Sequence, residues 1–119
     1  MRVKIRQNIN FAFSNFPFFS ALPVIEKQLG DITIREGEDI QFEARCFSKP
    51  YADFMWLKDD QSVSLSNRIT ISQVDQTHSI LKIFKADRND CGQYKLTASN
   101  VVGEASTSAS LNAKGIPFI

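Results

Sequence analysis

The sequence predicts an all-β chain folded as two packed antiparallel sheets, and three observations carry that expectation. From Leu22 onward, short runs of alternating apolar and polar residues recur with turn signals between them. No periodic stretch is long enough to make more than a turn of helix. Asp90-Cys91-Gly92-Gln93-Tyr94 has the spacing of a tyrosine corner, in which a phenol near the start of a strand bonds back to backbone just upstream.

Residues 1–21 stand outside this pattern and are read as a leader or disordered extension. Arg2, Lys4 and Arg6 open it, and Phe11, Phe13, Phe16, Phe18 and Phe19 crowd its second half. A secretory signal fits the basic start, but Asn10, Ser14, Asn15 and Pro17 interrupt the apolar run, and bulky Phe19 lies two residues before Ala21. A membrane span needs about 20 nearly unbroken apolar residues, which are absent here. An aromatic tail that binds a partner is the alternative.

The domain is placed at 22–114, with 115–119 as a tail or linker. Pro23 to Glu26 opens an edge strand, where proline is tolerated. Asp31 to Arg35 alternates, and Glu36-Gly37-Glu38 turns. Ile40, Phe42, Ala44 and Cys46 line one face of the next strand, which Ser48-Lys49-Pro50 is expected to break. Phe54, Trp56 and Lys58 share a parity, with Met55 and Leu57 opposite, before the turn Asp59 to Ser62. Ile69 with Ile71, then Leu81 with Ile83, mark two more strands. Tyr94, Leu96 and Ala98 alternate with Lys95, Thr97 and Ser99. Asn100 to Gly103 then turns the chain into a last strand ending at Leu111, a hairpin expected at the sheet edge. The expected core is Ile34, Ile40, Phe42, Ala44, Trp56, Ile71, Leu81, Ile83, Tyr94, Leu96 and Leu111. Burial of each large side chain is worth roughly 1.5–3 kcal/mol, enough for a small domain.

Gly37…Ala44…Trp56…Leu81-x-Ile83…Asp90-x-Gly92-x-Tyr94-x-Leu96-x-Ala98-x-Asn100-x-x-Gly103 resembles the intermediate-set (I-set) immunoglobulin domains of titin, twitchin and palladin-like muscle and cytoskeletal proteins and of adhesion receptors. The resemblance implies an immunoglobulin-like Greek-key sandwich with Ala44, Trp56, Leu81, Asp90, Gly92, Tyr94 and Leu96 as its structural core positions. It also exposes a departure: Ala44 and Leu96 stand where the family pattern has cysteines, so the inter-sheet disulfide is gone. Losing a crosslink over a loop of this length removes on the order of 4 kcal/mol in the chain-entropy model. In the implied topology Cys46 and Cys91 lie roughly 23 Å apart along the sheets, beyond disulfide reach. Two unpaired thiols suit a reducing compartment. Cys46 is expected as a small core residue and Cys91 as partly exposed.

No convergent catalytic set is visible, and the chain reads as non-enzymatic, with no cofactor, metal or small-molecule substrate. His78 has no second ligand at metal spacing and is expected at the surface. The serines lack a nucleophile elbow. Glu36, Glu38 and Asp39 flank a turn glycine without calcium-loop spacing. A net charge of +1 with no basic stripe gives no basis for nucleic-acid binding, and no segment reads as a membrane anchor. What remains is surface and mechanics. With Trp56 inward, Met55 and Leu57 face outward beside Lys95 and Thr97, a candidate protein-partner surface. The resemblance implies a structural, protein-binding module of a cytoplasmic muscle or actin-cytoskeleton protein, with pairing of strand 31–35 to the last strand as the load-bearing element. An extracellular adhesion or receptor domain is the alternative; Asn8, Asn15, Asn67 and Asn100 all fail the glycosylation pattern.

Overall fold

A computed structural model describes residues 20–114. The expected tail 115–119, and the expected leader apart from Ser20 and Ala21, lie outside the described residues. The strands are β1 (Ala21–Lys27), β2 (Ile32–Ile34), β3 (Ile40–Lys49), β4 (Asp53–Lys58), β5 (Gln61–Ser62), β6 (Ile69–Asp75), β7 (His78–Ile83), β8 (Gly92–Ser99) and β9 (Glu104–Ala113), with one 3-10 turn at Arg88–Asp90. They form a four-stranded sheet, β1-β3-β7-β6, facing a five-stranded sheet, β2-β9-β8-β4-β5. All pairings are antiparallel except β2 with β9, which run parallel. The chain therefore enters in one sheet and crosses to the other within its first two strands.

The inward parity of each strand builds the core. Phe42, Ala44 and Cys46 from β3, Leu81 and Ile83 from β7, Trp56 from β4, Tyr94, Leu96 and Ala98 from β8, and Ala109 and Leu111 from β9 are all buried. Ile34 joins them from β2, and Ile40 packs against them from the margin.

Four expectations need correction. The hairpin 92–113 is interior, because β2 lies beyond β9 and β4 beyond β8. Ile71 is not core: it is 38% exposed, because β6 is a rim strand with no neighbour on its far side among the described residues. Ser48 and Lys49 do not break β3, which runs through both; β1 pairs there, Ala21 opposite Lys49, where β7 no longer reaches. Gln61 and Ser62 leave the turn to form β5, folded back on Lys58 and Leu57. That reversal uses left-handed backbone at Asp59 and Asp60, with φ of 49° and 68°, a region aspartate tolerates better than most residues.

Gly92 is required by a close approach. Asp59 Oδ1 accepts the Gln93 N–H at 2.9 Å, and a Cβ on residue 92 would lie 2.7 Å from Asp59 Oδ2.

Candidate functional site

At the centre of the sandwich, the residues standing at the family's cysteine positions are fully buried: Ala44 in one sheet and Leu96 in the other. Beside them the indole N–H of Trp56, on β4, donates to Ser79 Oγ, on β7, at 2.9 Å. Ser79 sits directly opposite Ala44 across the β3–β7 ladder. A buried hydrogen bond therefore joins the two sheets beside the place where sulfur is missing. Sequence reading missed Ser79, since nothing local distinguishes it from the many surface serines.

At one end of the sandwich lies the corner. The Tyr94 hydroxyl donates to the Asp90 carbonyl at 2.6 Å, and its ring packs tilted on Phe42 with centroids 5.0 Å apart. Burial pushes the phenol's pKa well up, and the Asp90 and Asp59 charges add to it. Asp90 is itself buried. Its carboxylate accepts from Arg68 Nη1 at 3.1 Å and Nη2 at 3.3 Å and from the Asp87 N–H at 2.9 Å. Asp87 in turn accepts from the Asn89 N–H, completing a reciprocal cap on the 3-10 turn. Arg68 also donates to the carbonyls of Phe84 and Lys85, and Asp90 holds its guanidinium pKa above the ordinary value. Lys58 reaches the Asn89 carbonyl. The Asp87-x-x-Asp90 spacing was a legible signal for the cap. Arg68, 22 residues upstream of Asp90, gave none.

The opposite end closes differently. Cys46, Ala52 and Ala98 form a separate small buried cluster with Ile25 and Phe54 against it. Asn100 Nδ2 donates to the carbonyls of Ala21 and Pro50. Burial raises the Cys46 thiol's pKa; at the corner, half-buried Cys91 is raised by burial and then by Asp90. Both cysteines are free.

His78 corrects another expectation, being 7% exposed rather than a surface residue. Its ring bonds Glu43, which also accepts from Lys27 Nζ at 3.0 Å. These three side chains link β1, β3 and β7. Lys27 first, then His78, hold the Glu43 carboxyl below its usual range. The carboxylates near the turn glycine are occupied by backbone: Glu38 accepts from the Arg35 N–H and Asp39 from the Lys85 N–H.

The outer face of the five-stranded sheet carries two cross-strand rows. Met55 lies opposite Thr97 and Thr97 opposite Ser106; Leu57 lies opposite Lys95 and Lys95 opposite Ser108. Met55 is 55% exposed, and Leu57, Lys95 and Thr97 are half-buried. Next to these rows is a shallow depression of about 440 Å³ lined by Asp59, Asp60, Gln93, Lys95, Ser106 and Ser108. Among the described residues, no helix is long and apolar enough to cross a membrane.

The sequence matches the family model "Immunoglobulin I-set domain" over residues 23–113. It is 36% identical over 88 residues to the muscle M-line assembly protein unc-89 of Caenorhabditis elegans, a match covering 74% of this chain and 1% of that protein. It is 34% identical over 91 residues to the CAVP-target protein of Branchiostoma lanceolatum, covering 76% of this chain and 37% of that one. The chain thus spans only a small part of the curated relatives it matches. Among solved structures, the titin domains z1z2 in complex with telethonin are 30% identical with a TM-score of 0.73, over 77% of this chain and 47% of that one.

Proposed function

The chain belongs to the immunoglobulin I-set family, and we propose that it is a non-enzymatic structural and protein-binding module of a cytoplasmic muscle or actin-cytoskeleton protein. It transmits tension between its ends and docks other proteins. The parallel β2–β9 pair carries this reading. Ala21 lies at the end holding Lys49, Pro50 and Asn100, whereas β9 finishes at the corner end, where Leu111 faces Gly92. Tension applied to the two ends reaches β2 at Ile32 and β9 at Ala113, along the strand direction. The bonds between Ile32–Ile34 and Leu111–Ala113, with the Lys114 N–H on the Ile34 carbonyl at 2.7 Å, are then loaded together in shear. Kinship with a muscle M-line protein and with titin domains crystallised with a protein partner supports the setting, as do two free thiols.

Single-molecule pulling tests the mechanical part. Ile34→Pro removes a ladder donor and should lower the unfolding force more than Ser108→Ala. Ile34→Ala, which keeps the N–H but empties the core, should fall between them. Equal forces for all three would end the reading. For docking, Met55→Asp with Leu57→Asp should abolish capture of sarcomeric partners by the full chain while leaving its melting curve intact. Unchanged capture would move the docking surface elsewhere.

A further inference from the structure

Exposed sheet edges are templates for pairing, and proteins guard them. Three of the four edges here are guarded. β2 and β5 are three and two residues long. β1 carries Pro23, Glu26 and Lys27 and two register shifts against β3. β6 has a single register shift, after Gln73, and over residues 69–73 it has none of these: no charge, no proline, no shift, and every residue after Ile69 exposed.

The ladder fixes which backbone groups of β6 point outward. The Phe84 N–H donates to the Arg68 carbonyl at 2.8 Å, so residues 68 and 84 form a hydrogen-bonded pair. Alternation then turns Thr70 and Ser72 toward β7, and Ile69, Ile71 and Gln73 away from it. Ile69 is satisfied by Ser66, through its N–H to Oγ and its carbonyl from the Ser66 N–H. Among the described residues nothing meets the outward groups of Ile71 and Gln73.

We propose that this edge pairs with the same edge of a second copy of the chain. The two β6 strands run antiparallel about a two-fold axis at Ser72, with Ile71 of each copy opposite Gln73 of the other. Each such pair exchanges both backbone bonds, so the unmet groups satisfy one another and the two four-stranded sheets become continuous. The contact is isologous and closes on itself. Charge favours this orientation. Arg68 at one end of the segment comes beside Asp75 of the other copy, whereas a parallel arrangement would set like against like. No like charges face each other between them.

The register makes a sharp test. Ser72 opposes Ser72 in a non-hydrogen-bonded pair, where Cα atoms are about 4.5 Å apart, within disulfide range. In the full chain carrying Cys91→Ser, mild oxidation of Ser72→Cys should give a covalent dimer at least about tenfold faster than Thr70→Cys, whose twin is out of reach. Gln73→Pro removes an outward donor that β7 does not use. Added to Ser72→Cys, it should abolish the dimer; Ile71→Lys serves if the proline variant fails to fold. Sedimentation should show a concentration-dependent dimer that Ile71→Lys converts to monomer. Equal crosslinking at positions 70 and 72, or a monomer at all concentrations, would overturn the proposal. So would crosslinking of the Ser72→Cys variant to a different protein while copies of the chain stay apart, which would assign the edge to a foreign strand.

Discussion

The two ends of this sandwich solve one problem by different chemistry. Two facing sheets leave an open rim at each end that water can enter. At the corner end the rim is tied by a buried carboxylate, a two-pronged guanidinium and a phenol, so Arg68 beside β6 and Asp90 beside β8 join opposite sheets. At the far end small apolar side chains, Cys46, Ala52 and Ala98, fill the gap, and one asparagine ties the loops. Directional bonds specify a single arrangement, while small hydrocarbon fill tolerates change. The corner should therefore be the less forgiving end.

Truncation gives the largest contrast. Tyr94→Ala should cost about 4 kcal/mol, because an aromatic in the core is emptied, and Cys46→Ala only about 1 kcal/mol. Urea denaturation of both variants measures the gap, and similar losses would break the comparison. Between the two ends, Trp56→Phe should cost about 2 kcal/mol by stranding the Ser79 hydroxyl and leaving a small void. Ser79→Ala added to it should cost little more, a coupling of about 1 kcal/mol in a double-mutant cycle. Additive losses would mean that the indole and the hydroxyl do not act together. Tyr94→Phe keeps the packing and loses only the bond to the Asp90 carbonyl, about 1 kcal/mol.

Acid and alkali should separate the ends with smaller effects. Toward the far end the carboxyls of Glu43 and Asp75 are held low, the first by Lys27 and His78, the second by the N–H and hydroxyl of Thr77. A depressed carboxyl stabilises the fold fully above its unfolded pKa, about 4, and loses that contribution as pH falls through the folded value. The Tyr94 phenol is raised. Its contribution is complete below its unfolded pKa, about 10, and is lost as pH rises through the folded value. Hydrogen exchange should thus show the Thr77 and Cys46 amides losing protection first in acid, and the amides around Asp90 and Tyr94 first in alkali. Glu43→Gln should blunt the acid response and Tyr94→Phe the alkaline one.

The corner was legible because its signal is local: Asp90, Gly92 and Tyr94 fall within five residues, and their roles follow from one turn of chain. Trp56 and the alternating strands were legible because parity assigns each side chain to a face. Parity does not say which strand is at the rim, so Ile71 reads like Leu81 although only one of them has a sheet packed over it. His78, in a polar lead-in to a strand, reads as a surface residue because nothing local shows that Glu43, 35 residues upstream, bonds its ring. Arg68 and Ser79 depend on contacts between residues 22 and 23 positions from their partners, which topology alone brings together. The candidate docking rows were readable as a shared parity; the register that aligns Met55 with Thr97 and Leu57 with Lys95 came only with the fold.

The indole-to-serine bond at the centre has a chemical consequence. Nothing joining the two layers can be cleaved by dithiothreitol or glutathione, so reductant should leave the melting temperature unmoved. An oxidant has no dithiol to close, only one thiol sealed in the interior and another half-covered at the corner. The fold is in effect blind to the electron poise of its surroundings, and would keep the same shape through swings that would unlatch a sulfur-bridged relative.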